Sequence, residues 1–363
     1  METEVIFDKN ATHNFHYRKL RGQLKQLVNE LPKSRLSFKM YQVVGLPVLY
    51  LSIYLLALYN ANNIALFYSL YAVLGITAVL IFINIIHDAV HNNFFKKEWA
   101  NKLILVVFDL LGGNSYIWKK RHVLLHHNFQ NVSGWDSDIE QAGLIKIFPN
   151  EKLTLLNRHQ HWFIFLVYPL YLFNWILIRD FKDFFLSNRM IKKVCKIPRI
   201  EYFKLFFFKI NFIFYMVVLP IMFGVKLRIA LVALCVMLVT GSVFALLSLL
   251  TPHVNEKSQF PLPDSTGHLK VSWFEHQFIT TNDITLNNWF TRNFMGNFNF
   301  HLAHHLFPGI NSVYAPEVTQ EIQKYAKEHG FLYRSYKLNK ALLYHYRLIK
   351  ANALESDFFE EDM

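Results

Sequence analysis

The chain has 363 residues, of which 53% are hydrophobic, 17% aromatic and only 18% charged, with a net charge of +12. So few charges, set beside long apolar runs, exclude an ordinary soluble domain and replace the two domains that length suggests with one membrane-embedded unit. The basic excess comes with no helix-turn-helix, zinc-finger or ribonucleoprotein motif, so it fits the cytoplasmic loops of a membrane protein and no nucleic-acid partner is expected.

Residues 1–39 are polar, with eight Lys/Arg between Lys9 and Lys39 and no short apolar core with a cleavage site. They predict a retained cytoplasmic segment. Within it Leu20, Leu24, Leu27 and Leu31 recur at helical spacing among basic residues, which predicts a helix on the membrane surface. Four apolar runs follow that are long enough to span a bilayer, at residues 40–59, 64–86, 205–225 and 229–250. Short links at 60–63 and 226–228 pair them into two helical hairpins. The run at 103–118 contains Asp109 and Gly112-Gly113, and the run at 162–178 is interrupted by Pro169. Both are expected to lie at the interface. The segment 179–204 carries eight Lys/Arg against three acidic residues and reads as cytoplasmic. Cys195 and Cys235 have no partner at metal or redox spacing, so no disulfide is expected. The acidic residues 355–363 are expected to be disordered. The predicted architecture is all-α: four spans in two hairpins, interfacial helices and a cytoplasmic histidine-rich cap. Its parts are the N-terminal segment 1–39, a membrane domain at 40–330 and a C-terminal tail at 331–363.

Eight of the seventeen histidines fall into three clusters: His87 and His91; His122, His126 and His127; His301, His304 and His305. Spacings of three and four put side chains on one helix face. Imidazole suits iron, zinc and copper, and eight imidazoles exceed what one tetrahedral zinc uses, so two metals sharing them is the economical reading. The clusters work together only if they end on one side of the membrane. An even number of crossings must then separate the second cluster from the third, so the run at 162–178 should not cross. The zincin pattern needs Glu directly after its first His; Asp88 or an apolar residue stands there in each cluster, which argues against a metalloprotease.

These motifs resemble the membrane fatty acid desaturases, the histidine-box di-iron family. His87-Asp-Ala-Val-His91 is similar to its first box. Trp118-Lys-Lys-Arg-His122-Val-Leu-Leu-His126-His127, followed by Asn131, Gly134, Asp136 and Asp138, is similar to its second box and tail. Gly296-Asn-Phe-Asn299-Phe-His301-Leu-Ala-His304-His305-Leu-Phe-Pro308 is similar to its third, and the resemblance runs from about residue 40 to 330.

The resemblance implies two iron ions, oxygen as co-substrate, a fatty acyl substrate linked to coenzyme A, a carrier or a lipid, and a cis double bond as product. It also implies a ninth histidine ligand near the cytoplasmic end of the fourth span, where His253 stands; His161 and His276 are weaker candidates. Asp88, Asp136 and Asp138 are candidates to accept the second ring N–H of a metal-bound histidine, and Asn299 to orient a ligand. The third box starts with His301 where haem-fused relatives often have Gln, and there is no His-Pro-Gly-Gly stretch. A separate electron donor, a ferredoxin or small haem cytochrome, is therefore expected, and front-end regiochemistry is not. The expected location is a bacterial inner membrane with the site on its cytoplasmic face. Two alternatives stay open: a di-iron hydroxylase or ketolase acting on a sphingoid or carotenoid lipid, and a zinc-dependent membrane hydrolase or receptor-like protein.

Overall fold

The computed structural model describes residues 5–140 and 144–354; the acidic stretch 355–363 lies outside them. Among the described residues, five helices are long and apolar enough to cross a membrane: Ser34–Tyr59 (α2), Ile64–Val90 (α3), Asn157–Phe185 (α6), Arg199–Met222 (α7) and Leu227–Leu249 (α8). Ahead of them lies Ala11–Glu30 (α1); between α3 and α6 lie Glu98–Leu110 (α4) and a helix over 115–129 (α5).

The first hairpin forms as the sequence predicts. Asn60 ends α2, its side-chain amide donating to Leu56 O, and Asn63 caps α3, accepting from Leu66 N at 3.2 Å. The two hairpins meet along α3 and α8, where glycines remove the side chains that would hold the backbones apart. A Cβ on Gly75 would lie 2.1 Å from Met237 O, and Thr240 Oγ1 donates to Ala72 O across the seam. α3 is mostly buried, whereas α2 turns Val44, Val48, Leu51 and Leu55 outward. Both cysteines are free.

The expected interfacial run at 162–178 belongs to a continuous 29-residue helix, α6. Pro169 does not end it: a 3₁₀ turn at Tyr168–Leu170 absorbs the missing N–H, and a π turn follows at Asn174–Arg179. The helix dips against α8, where Leu172 N donates to Ser242 Oγ at 3.0 Å.

The remaining elements form a cap: Trp273–Thr280 (α9), His301–Leu306 (α10), Ala315–His329 (α11) and Leu338–Leu354 (α12). Two parallel two-residue pairs tie it together, Ile6–Phe7 with His268–Leu269 and Asp283–Ile284 with Ser335–Tyr336. The stripe on α1 that predicted a membrane-surface helix meets protein instead. Leu20 and Leu24 are fully buried against Phe274, Leu306, Val318 and Ile322. Residues 331–354, expected as a tail, are built in: Ile349 packs with Ile145, Phe148 and Ile164.

Candidate metal centre

The first box sits at the end of α3. A π turn at Phe82–Ile86 leads into it, and His87 and His91 follow one turn apart. Such turns change which residues stack on one face and recur at functional sites. Asp88, one residue from His87, is rotated about 100° around the helix. It faces away from the imidazoles, accepting from Ser312 Oγ at 2.7 Å and pairing with Lys39 Nζ at 3.1 Å. The first carboxylate expected behind a histidine therefore holds α2 to the cap instead.

The second box also lies in a π turn, Arg121–His126, which brings His122 and His127, five apart, into contact with Nε2 atoms 3.2 Å from each other. Behind it, the loop 131–138 supplies the carboxylates. Asp136 accepts from His126 Nδ1 and Asp138 from His122 Nδ1, each at 2.9 Å. Each bond fixes the proton on Nδ1 and leaves the Nε2 lone pair free to ligate. Asp138 also receives Arg121 Nε at 2.6 Å, and Arg121 reaches Asp183 with its Nη1, also at 2.6 Å.

The third box opens α10. Asp283 caps that helix by accepting from Leu302 N at 2.8 Å. Gly296, at φ +52°, lets the preceding loop press on the π turn of α3: a Cβ there would meet Ile83 O at 3.0 Å. Asn299 donates to Ile284 O and Leu286 O. It thus shapes the loop before the box, and among the described residues its side chain hydrogen-bonds no histidine. His253, just past α8, directs Nδ1 to Thr280 O at 3.2 Å, and its own carbonyl is held by Asn131 Nδ2 at 3.1 Å.

The boxes and His253 converge in two tetrads: His87, His91, His122 and His304, and His126, His253, His301 and His305. Within each, the ligand nitrogens lie within 4.8 Å of one another. His127 stands between them, its ring 4.6 Å from that of His304 and 4.5 Å from that of His305. His161 and His276 join neither group: His161 lies against Trp162, and His276 is buried with its ring edge-on to Phe7.

The donor set fits a pair of transition-metal ions. In the second tetrad, the Nε2 atoms of His253, His301 and His305 lie 2.8, 2.9 and 3.1 Å apart, so three lone-pair positions face one point and a cation is the partner that satisfies them together. In the first, the Nε2 atoms of His87, His91 and His304 are buried with no hydrogen-bond partner among the described residues. Burial pushes the imidazoles of His253, His301, His304 and His305 well below their usual range, which keeps them neutral as ligands must be. His126 differs: burial works downward, but the Asp136 carboxylate outweighs it and raises the imidazole.

An apolar passage leads to this centre. Facing the tetrads, a cavity is lined by His87, His122, His301, Trp118 and Phe298. Phe82, Tyr171, Trp175 and Leu249 line both it and an apolar cleft bounded by α3, α4, α6 and α8, which Gly75 and Met237 also line. This wall is not legible in the sequence, because aromatic abundance alone does not separate lining from packing.

The family model described as fatty acid desaturase matches residues 61–337. An acyl-lipid (8-3)-desaturase of Physcomitrium patens is 30% identical over 79% of this chain and 60% of its own length. Two proteins named sn-1 linoleoyl-lipid 6-desaturase are also similar. That of Arthrospira platensis is 29% identical over 72% of this chain and 71% of its own length, and that of Synechocystis sp. 28% over 77% and 78%. Several other curated relatives are likewise spanned for only about 60% of their length. With the three boxes gathered into one buried imidazole cluster, the match over most of the chain settles its membership: this protein belongs to the fatty acid desaturase family.

Proposed function

We propose that the protein is an oxygen-dependent di-iron desaturase that places a cis double bond in a lipid-linked fatty acyl chain. The observation that carries this reading is the pair of buried imidazole tetrads at the head of an apolar cleft. Bound iron supplies, with oxygen, the oxidising power that no side chain has against an unactivated methylene. The balance is one CH₂–CH₂ unit, one O₂, two electrons and two protons giving CH=CH and two waters. The chain's own residues hold the metals through the eight tetrad histidines and His127. Asp136 and Asp138 fix ring orientation, and the apolar wall of Phe82, Trp118, Trp175 and Phe298 seats the alkyl chain and excludes water.

Topology supports a metal site on one face, with four spans. Both ends of α6 reach the cap side: Gln160 bonds Lys146 O and Ile349 O, and Asp183 bonds Arg121 beside the second box. A helix that dips and returns leaves two crossings, α7 and α8, between the second box and the third. Loop charge supports a cytoplasmic location for that face, as in a bacterial inner membrane, where a separate ferredoxin or small haem cytochrome would deliver electrons.

The test is metal content of the purified protein together with acyl profiles of host cells expressing it or His304→Ala. Two irons per chain and new unsaturated chains, both diminished in the variant, are expected. One zinc per chain, or hydroxylated chains in place of unsaturated ones, would overturn the assignment.

A further inference from the structure

Tyr171, Trp175 and Arg179 stand four apart along α6 and line the cavity that faces the histidines. Two are aromatic, as an alkyl channel requires. The third is a guanidinium, 5% exposed, whose Nε and Nη2 have no hydrogen-bond partner among the described residues. Its remaining contacts are weak: Nη1 reaches Asp138 O at 3.4 Å, and Nη2 lies 3.9 Å from Asp138 Oδ1. That carboxylate is already committed to Arg121 at 2.6 Å and His122 at 2.9 Å. Buried guanidinium donors left unpaired are costly. Here they border the space the substrate would fill.

The cavity therefore has a polar wall, Arg179 with Asp138, and shares Phe82, Tyr171, Trp175 and Leu249 with the apolar cleft that Gly75 and Met237 line. An esterified acyl chain has the matching asymmetry, with one acceptor oxygen at its head and only methylenes beyond. Resting on the desaturase reading above, we propose that Arg179 receives the ester carbonyl oxygen of the acyl chain and sets how many carbons separate that carbonyl from the metals. A neutral carbonyl suits the position better than a free carboxylate, because the Asp138 carboxylate lies 3.9 Å from Nη2 and would repel an anion. Asp138 also makes the anchor a ruler: its main chain touches Arg179 while its side chain holds the ligand His122, so one residue fixes the anchor relative to the metal. A short ruler places the double bond near the carbonyl, in keeping with the 6 in the names of the two cyanobacterial relatives. Arg179 is thus a substrate-positioning group, and the front-end outcome that the third box argued against becomes the expected one.

The experiment compares methyl linoleate with linoleyl methyl ether, which has a CH₂ in place of the carbonyl. Binding to the purified protein is read without turnover by displacement of a fluorescent polyene fatty ester. Loss of a hydrogen bond to a charged donor is expected to weaken the ether about tenfold. In Arg179→Met the ester-to-ether ratio should fall to near one, and Arg179→Lys should restore part of it. In expressing cells, Arg179→Met should spread the double bond over neighbouring positions, a change that a merely structural role would not produce. Equal binding of ester and ether by the wild type overturns the anchor whatever the variants do. So does a ratio unchanged in whichever of the two variants retains its metals, or tighter binding of free linoleate than of the ester. Because binding needs no catalysis, these outcomes stay readable if the wild type, loaded and supplied with electrons, makes no unsaturated product; that result would sink the desaturase reading itself.

Discussion

Replacing Asp138 by Asn removes one charge and little volume, and the surroundings determine the consequence. Oδ1 of Asp138 accepts from Arg121 Nε at 2.6 Å and Oδ2 from His122 Nδ1 at 2.9 Å. Burial pushes this carboxyl upward, but Arg121 and His122 outweigh it and hold the group well below the usual carboxylate range, so it is an anion at neutral pH. An Asn has one acceptor for two donors. Arg121, fully buried and always charged, claims it. The Asn amide then faces His122 Nδ1, which must become the acceptor, and the imidazole proton moves to Nε2, where it blocks ligation. His122 belongs to the tetrad with His87, His91 and His304, so that metal alone should weaken, by about 10- to 100-fold. Asp136→Asn addresses His126 and hence the other tetrad. Metal content after graded dialysis against chelator should show each variant losing one iron at a chelator level where the wild type keeps two. If Asp138→Asn retains both irons as tightly as the wild type, or if both variants lose both together, the assignment of one carboxylate to each metal is wrong.

Lys39→Met should lower thermal stability sharply, by about 3–5 kcal/mol, because it leaves the buried Asp88 carboxylate with only Ser312. Adding Asp88→Asn should recover most of that loss in a double-mutant cycle followed by thermal melting. Asp109 should give a pH signature. Burial raises its pKa to about 6, against about 3.9 for a free carboxyl, so the folded state keeps the proton longer. Its cost is negligible below pH 3, grows between pH 4 and 6, and levels off above pH 6 at about 3 kcal/mol. Asn can accept from Ser115 N through its oxygen and donate to Ser115 Oγ through its amide, so Asp109→Asn should melt higher than wild type at pH 7.5 and equal it at pH 3.

What the sequence made legible was local. Histidines three to five apart announce themselves, and all eight box residues, with His253, reach the centre because short helices and turns carry them there. The four long apolar runs became helices for the same reason. What stayed hidden depends on partners distant in sequence or on backbone detail. The π turns before His87 and through His122 have no residue signature. Pro169 interrupts the apolar run at 162–178 in the sequence, yet a 3₁₀ turn absorbs it within α6. Asp88, Asp136 and Asp138 are equal candidates in the sequence, and only the fold separates them: Asp88 points to Lys39 and Ser312, whereas Asp136 and Asp138, ten and sixteen residues from their histidines, support the rings. Asn299 and the stripe on α1 serve packing that no spacing rule reveals. Arg179 sat within a basic run that loop charge already explained.

The two carboxylates that support the rings share one place, the stretch after the second box. The boxes supply only nitrogen, and neutral imidazoles would leave the charge of two bound divalent ions without an offset. The turn at Gly134, with φ +77°, sends Asp136 to His126 and Asp138 to His122, so a single loop delivers one carboxylate to each tetrad. Arg121 locks that loop to Asp183 on α6, the helix whose Tyr171, Trp175 and Arg179 form a wall of the cavity. Metal charge, ring tautomer and cavity wall are thereby fixed by a few contiguous contacts. A change in this loop should disturb iron affinity and double-bond position together, whereas a change deep in the cleft at Met237 should alter the chain length accepted and leave metal content intact.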